Sequence, residues 1–142
     1  MLEEFEREMS GAELILAIPR GGVVTGKVLS EGLGLPLDLL LCKKVGHPEN
    51  SEYAIGSVCA DGTTILTDDT SDYYRQHLER QCRQMESWLK ARYQDLTGRP
   101  APLNLKGKNV IITDDGLATG STMLAAIRSV RKSGALKVMV AT

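Results

Sequence analysis

The run V-I-I-T-D-D-G-L-A-T-G-S-T-M, from Val110 to Met123, constrains this chain more than any other stretch. Three consecutive apolar residues, Val110, Ile111 and Ile112, predict a strand buried on both faces of a parallel sheet. Asp114 and Asp115 stand at its carboxyl end. Gly116 to Thr122 is a turn of small and hydroxylated residues, and Leu124, Ile127 and Val130 then recur three apart, as on one face of a helix. Two carboxylates therefore close a strand beside a loop that opens a helix. Free N–H groups and the helix dipole at such an opening favour an anion. The carboxylates favour hydroxyls or a cation and would repel a phosphate that touched them. A sugar phosphate meets both demands. A Walker A loop is excluded, because it needs Gly-Lys-Ser/Thr and Gly120 is followed by Ser121. A plain strand–turn–helix junction with a solvated acidic pair accounts for only part of the pattern.

A similar unit lies upstream. Leu14 to Ile18 predicts a buried strand, Pro19-Arg20-Gly21-Gly22 breaks it, and Val23 to Leu33 reads as a helix whose end is marked by Gly32 and Gly34. The paired glycines let the backbone approach a bulky anion, and Arg20 supplies a forked donor for it. Leu37 to Cys42 predicts a second strand, interrupted only by Asp38. Lys43 and Lys44 close it at what should be the carboxyl edge of the sheet, where open α/β sheets bind ligands. Val45 to Glu52 is polar and turn-prone. Ile55–Cys59 and Thr63–Leu66 read as a β-hairpin. Asp69 to Thr97 is the longest helical segment, with Thr70, Ser71 and Asp72 as cap residues, and with Gly98 and Pro100 to stop it. Its stripe of Tyr74, Leu78, Cys82, Met85, Leu89, Tyr93 and Leu96 steps by four and three. Leu2 to Met9 is a short amphipathic helix, and Leu136 to Ala141 a last strand. The expected fold is α/β: an open, mostly parallel, Rossmann-like sheet flanked by helices, with a β-hairpin and one long helix.

The chain has 142 residues, 42% of them hydrophobic, and a net charge of -1. That describes one domain, spanning 1–142, with enough chain for a core. The charge leaves no basic footprint for nucleic acid. No apolar run approaches the roughly 18–20 residues of a membrane span. The first ten residues are too acidic and polar for a secretory signal. Cys42, Cys59 and Cys82 are odd in number and lack C-x-x-C spacing, so they are read as reduced, mostly buried thiols of a cytoplasmic protein. His47 and His77 stand apart from one another and from any metal-ligand cluster.

The Val110–Met123 stretch resembles the phosphoribosyl-diphosphate (PRPP) motif of the type I phosphoribosyltransferases: an apolar strand, two acidic residues, small residues, then T-G-x-T. The resemblance implies that Asp114 and Asp115 hydrogen-bond the ribose 2′ and 3′ hydroxyls. It also implies that Gly116 and the loop Ala118, Thr119, Gly120, Ser121 and Thr122 hold the 5′-phosphate. Pro19-Arg20-Gly21-Gly22 is similar to the family's diphosphate loop, especially its S-R-G-G form in xanthine phosphoribosyltransferases. A cis peptide before the basic residue, here Pro19–Arg20, is then implied. So is diphosphate contact for Arg20, Gly21, Gly22, Lys43 and Lys44. The position of Val45–Glu52 matches the family's mobile catalytic loop, although the usual Ser-Tyr pair is absent.

What the resemblance implies chemically is displacement at ribose C1, with PRPP and a nitrogenous acceptor as substrates, diphosphate as leaving group and a ribonucleotide as product. Asp114, Asp115, Arg20 and Lys44 carry the catalytic roles, and Mg²⁺ is the cofactor, held mainly by PRPP rather than by the protein. A homodimer is expected, with the helix around Met85 as a contact. Enzymes for 6-oxopurines carry an Asp just before T-G; here Ala118 stands there, which removes support for such an acceptor. Family members continue past the last strand into a hood that recognises the acceptor, so the chain is expected to lack part of the family fold. The competing expectation is a PRPP- or nucleotide-binding regulator of the same fold without catalysis. It would not need Arg20. A receiver-type phosphoacceptor domain would not need T-G-S-T.

Overall fold

Two neighbouring strands, one wholly buried and the other buried at all but its first residue, set the position of the others. The computed structural model describes residues 2–67, 72–100, 102–117 and 120–142, apart from the side chains of Leu2, Glu3 and Phe5. It divides into two compact units, Met1–Leu39 with Leu103–Leu117 and Val130–Thr142, and Leu40–Pro102 with Ala118–Ser129. The first contains α1 (Leu2–Met9), β1 (Leu14–Ala17), α2 (Gly21–Leu33) and β2 (Leu37–Leu39). The second contains β3 (Cys42–His47), β4 (Asn50–Cys59), β5 (Thr64–Leu66), a 3-10 turn (Asp72–Tyr74) and α3 (Arg75–Thr97). The chain then returns to the first unit with β6 (Asn109–Thr113), runs through α4 (Ser121–Lys132) and ends on β7 (Lys137–Ala141).

In the first unit a four-stranded sheet runs in the order β2-β1-β6-β7, every neighbour parallel. Ile15 and Leu16 of β1 lie beside Ile111 and Ile112 of β6. Val110, Ile111 and Ile112 are completely buried, each contributing about 1.5–3 kcal/mol of hydrophobic stabilisation. Met9, Ile15 and Ile111 form a core cluster to which α2 adds Leu29 and Leu33. Parallel strands need crossover connections, and α2 and α4 supply them. This is the expected α/β fold with a parallel sheet flanked by helices.

The second unit departs from expectation at its start. The apolar run Leu37–Cys42 is not one strand: it is β2, then a break at Leu40 and Leu41, then β3 in a separate antiparallel sheet of order β3-β4-β5. An apolar run records burial, not continuity, so two short strands on either side of a break read as one. Asp38, although only 2% exposed, is satisfied by the backbone N–H groups of Leu39 (2.8 Å) and Leu103 (3.0 Å), which holds the end of β2 in place. Lys43 and Lys44 consequently lie within β3 and do not close the parallel sheet.

Val45–Glu52 forms the end of the β3–β4 hairpin. His47 pairs with Asn50 across a tip made by Pro48 and Glu49, so turn-prone residues occupy a hairpin end between two strands. A register shift at Gly46 marks a bulge there. The His47 ring lies 5.3 Å from that of Tyr74. The Tyr74 phenol donates to Glu49 at 2.5 Å, and that bond holds its pKa above the ordinary tyrosine value. The hairpin expected over 55–66 is present as β4 and β5, though β4 begins earlier, at Asn50.

α3 begins at Arg75, after the 3-10 turn, and buries Leu78, Leu89 and Tyr93 against β3 and β4. The expected helix start at Asp69 and the cap residues Thr70 and Ser71 lie outside the described residues. Asp72 starts the 3-10 turn and pairs with Arg75 at 2.5 Å. Gly98 caps the far end in a left-handed conformation, as expected.

The cysteines require a correction. Cys42 and Cys59 form a disulfide, because β3 and β4 place them as direct partners in the hairpin register. Sequence spacing carries no trace of that pairing. Cys82 remains a free thiol. Burial pushes its pKa up, and a hydrogen bond with Thr64 opposes the rise. Thiol titration of the denatured chain should therefore count one reactive cysteine before reduction and three after it. Three before reduction would remove the disulfide.

Candidate active site

In the first unit β1 delivers the chain to a tight junction. The Pro19–Arg20 peptide is cis, as the motif implies. Gly22 N–H donates to Ile18 O (3.1 Å), Ile18 N–H donates to Thr113 O (2.9 Å), and Thr113 Oγ1 donates to Gly22 O (2.8 Å). The loop after β1 is thus laced to the end of β6. A β-carbon on Gly21 would coincide with the Asp115 carboxylate, and one on Gly22 would overlap the carbonyl of Thr113. Only hydrogen fits at either position. The P-R-G-G and D-D motifs, 93 residues apart from Gly22 to Asp115 by numbering, therefore meet in one place.

The two aspartates differ. Asp114 is half-buried, and its Oδ1 accepts the backbone N–H of Asp115 at 2.8 Å. Its own N–H donates to Ala141 O on β7 at 3.2 Å. Asp115 is exposed, with its carboxylate lying over Gly21. Arg20 is exposed at the start of α2. A guanidinium, the start of a helix and a carboxylate thus share one sheet edge. The cation and the helix opening suit an anion, and the carboxylates suit hydroxyls or a hard cation. Gly116 follows, exposed.

The second unit holds other predicted residues. Gly120 takes φ +78° and its carbonyl accepts Leu124 N–H at 2.9 Å, which makes it the cap of α4. Ser121 and Thr122 begin the first turn, whose N–H groups point out of the helix opening. Ala118 and Thr119, also read as phosphate-loop residues, lie outside the described residues. Lys43 and Lys44, adjacent on β3, point to opposite faces of the strand. Lys43 Nζ sits 4.5 Å from the centre of the Trp88 ring on α3, a cation–π contact. Lys44 lies opposite Ser57 in the register. The lysines therefore separate, and only Lys44 shares a hairpin face with Ser57.

Ser57 is the site residue that motif reading passes over. It is completely buried on β4, with its Oγ 3.3 Å from Ser121 Oγ and 3.1 Å from Thr122 Oγ1. The available signal was a single hydroxyl inside the otherwise non-polar run Ala54–Cys59, which calls for a buried partner. Among the described residues no group of three or more His, Cys, Asp and Glu is arranged to hold a metal ion. No described helix is long and apolar enough to cross a membrane.

The chain also resembles known proteins in sequence and in fold. The family model described as phosphoribosyl transferase domain matches residues 6–142. The Mycobacterium tuberculosis protein named "Putative phosphoribosyl transferase Rv0571c" is 34% identical over 140 residues, which cover 94% of this chain and 31% of that protein. The chain thus spans less than a third of the length of that curated relative. The structure of TT1426 from Thermus thermophilus superposes with a TM-score of 0.72 at 35% identity, covering 98% of this chain and 68% of that one. A purine phosphoribosyltransferase from Pyrococcus horikoshii Ot3 shares the fold, with a TM-score of 0.55 at 24% identity over 98% of this chain and 64% of its own.

Proposed function

Because this chain belongs to the phosphoribosyl transferase domain family, we propose that it binds PRPP with Mg²⁺ and transfers ribose 5-phosphate to a nitrogenous acceptor, releasing diphosphate. The observation that carries this reading is the contact between the Pro19–Gly22 loop and Asp115, which sets an anion-binding turn against a hydroxyl-binding carboxylate. Asp115 and Asp114 accept hydrogen bonds from the ribose hydroxyls. The sequence continues from that pair to Gly120, Ser121 and Thr122 at the opening of α4, which by the family pattern take the 5′-phosphate. Arg20 faces the diphosphate.

The roles follow from charge. Diphosphate departs with several negative charges, and Arg20 stabilises them as they develop. Ribose C1 becomes electron-poor as its bond to diphosphate lengthens, and the anionic aspartates stabilise that positive character. Carboxylate oxygens on Asp114 and Asp115 fit a hard cation, but one oxygen of Asp114 already accepts a backbone N–H. These two residues would therefore hold Mg²⁺ as minor partners, with PRPP oxygens providing the rest. When bound, the ion supplies Lewis-acid neutralisation of the leaving diphosphate.

Calorimetry tests the reading: PRPP should bind in the presence of Mg²⁺ and lose affinity with a chelator. Absence of binding in both conditions would end it. An assay of diphosphate release with adenine, hypoxanthine, guanine, uracil and orotate then scans the acceptor. Arg20→Ala should weaken diphosphate binding by about 1.5–3 kcal/mol, the worth of a charged hydrogen bond, while ribose 5-phosphate binding stays near wild type. Equal losses for both ligands would place Arg20 elsewhere.

A further inference from the structure

The buried hydroxyl cluster of Ser57, Ser121 and Thr122 joins β4 to α4. Ser57 Oγ reaches across 64 and 65 positions of sequence to the first turn of α4, at 3.3 Å from Ser121 Oγ and 3.1 Å from Thr122 Oγ1. It is completely buried, so those hydroxyls provide what water cannot. Each hydroxyl has one proton and two lone pairs. If Ser57 gives its proton to Thr122 Oγ1, the proton of Thr122 must turn elsewhere, and an anion at the opening of α4 is the natural acceptor. If Thr122 instead spends its proton on Ser57, it offers that anion only lone pairs, which repel it. The direction of one hydrogen bond therefore decides whether Thr122 is a donor.

The β3–β4 register adds a second observation. Lys44 lies opposite Ser57, and opposed residues of an antiparallel pair share one face. The hairpin face that holds the hydroxyl cluster thus also carries a cation. Gly120 caps the same helix, its carbonyl accepting Leu124 N–H at 2.9 Å.

We propose that Ser57 is a positioning residue for phosphate recognition: it donates to Thr122 and so presents the Thr122 hydroxyl to the 5′-phosphate at the start of α4. The proposal rests on the reading of this domain as a binder of PRPP. A purely structural Ser57, tying β4 to α4, would instead affect stability and leave ligand discrimination alone.

A double-mutant cycle on the full chain separates these roles, with ribose 5-phosphate and PRPP as calorimetric probes and the melting temperature as a check on folding. Ser57→Ala should weaken both ligands by the same factor, about tenfold, the upper range for a net neutral hydrogen bond. Thr122→Val should do the same, and Ser57→Ala in the Thr122→Val background should change affinity by less than about twofold, since residues acting through one bond are not additive. Ser57→Thr keeps the hydroxyl and should restore binding. Ser57→Cys, of similar size but a weak donor, should match the alanine variant, and serves if that variant does not fold. Additive losses in the cycle, or wild-type affinity in both the alanine and cysteine variants, would overturn the role of Ser57 while leaving PRPP binding intact. A wild-type chain that binds neither probe would overturn both readings, and does so before any variant is made.

Discussion

Gly22→Ala is expected to lower the stability of the domain by about 2–3 kcal/mol and to remove detectable PRPP binding. The added methyl would overlap the backbone carbonyl of Thr113, and a carbonyl cannot swing aside as a long side chain can. Relief requires α2 to move away from β6. That movement breaks the hydrogen bond from Thr113 Oγ1 to Gly22 O (2.8 Å) and the one from Ile18 N–H to Thr113 O (2.9 Å). It also carries Arg20 away from Asp115. For a domain of this length the melting temperature should fall by roughly 6–15 °C. Gly32→Ala is the control: the site has no neighbour within 4 Å and lies inside α2, so alanine should stabilise by up to about 1 kcal/mol. A Gly22→Ala protein that melts and binds as wild type does would show that the two motifs do not approach this closely.

The same junction shows how much of the molecule could be read from its residues. Val110–Ile112 and Leu14–Ile18 are apolar at every position, and such runs suit only strands covered on both faces, so the centre of the parallel sheet was legible. The P-R-G-G and D-D-G-L-A-T-G-S-T patterns each pair a conformational demand with a chemical one, which made the loops legible too. Their mutual contact is a property of topology: β1 and β6 are neighbours although some 90 residues separate them.

What was not legible lay in the antiparallel unit. Leu37–Cys42 reads as one strand because hydrophobicity reports burial, and the break at Leu40 and Leu41 carries no glycine or proline to mark it. That one misplacement moved Lys43 and Lys44 from the end of a parallel strand to the middle of a hairpin. There the alternation of strand faces sends one lysine to Trp88 and the other opposite Ser57. The Cys42–Cys59 pairing follows from the hairpin register, and a register cannot be deduced until the strand bounds are known. Ser57 escaped for a similar reason. A serine among Gly56, Val58 and Cys59 has no motif, and its partners stand at the far end of the sequence.

Asp115→Asn should leave the fold unchanged and weaken PRPP binding by about 1.5–3 kcal/mol, roughly ten- to 150-fold in Kd. Asparagine keeps the shape that lies over Gly21. Because Asp115 is exposed, the change in stability should stay within about 0.5 kcal/mol. What is lost is the negative charge that strengthens hydrogen bonds from the ribose hydroxyls. Ribose 5-phosphate should lose affinity by a similar factor, because it retains those hydroxyls, and diphosphate alone should not. That is the reverse of the pattern expected for Arg20→Ala, so the two variants measured together assign the ribose and diphosphate ends of the ligand. Asp114→Asn should behave differently from Asp115→Asn. Its half-buried carboxylate also accepts the Asp115 N–H at 2.8 Å, so an amide there disturbs the turn as well as the ligand, and the melting temperature should fall along with the affinity. Calorimetry with the three ligands, alongside thermal unfolding of both variants, decides the matter. Equal PRPP affinity in wild type and Asp115→Asn would withdraw the ribose from this carboxylate.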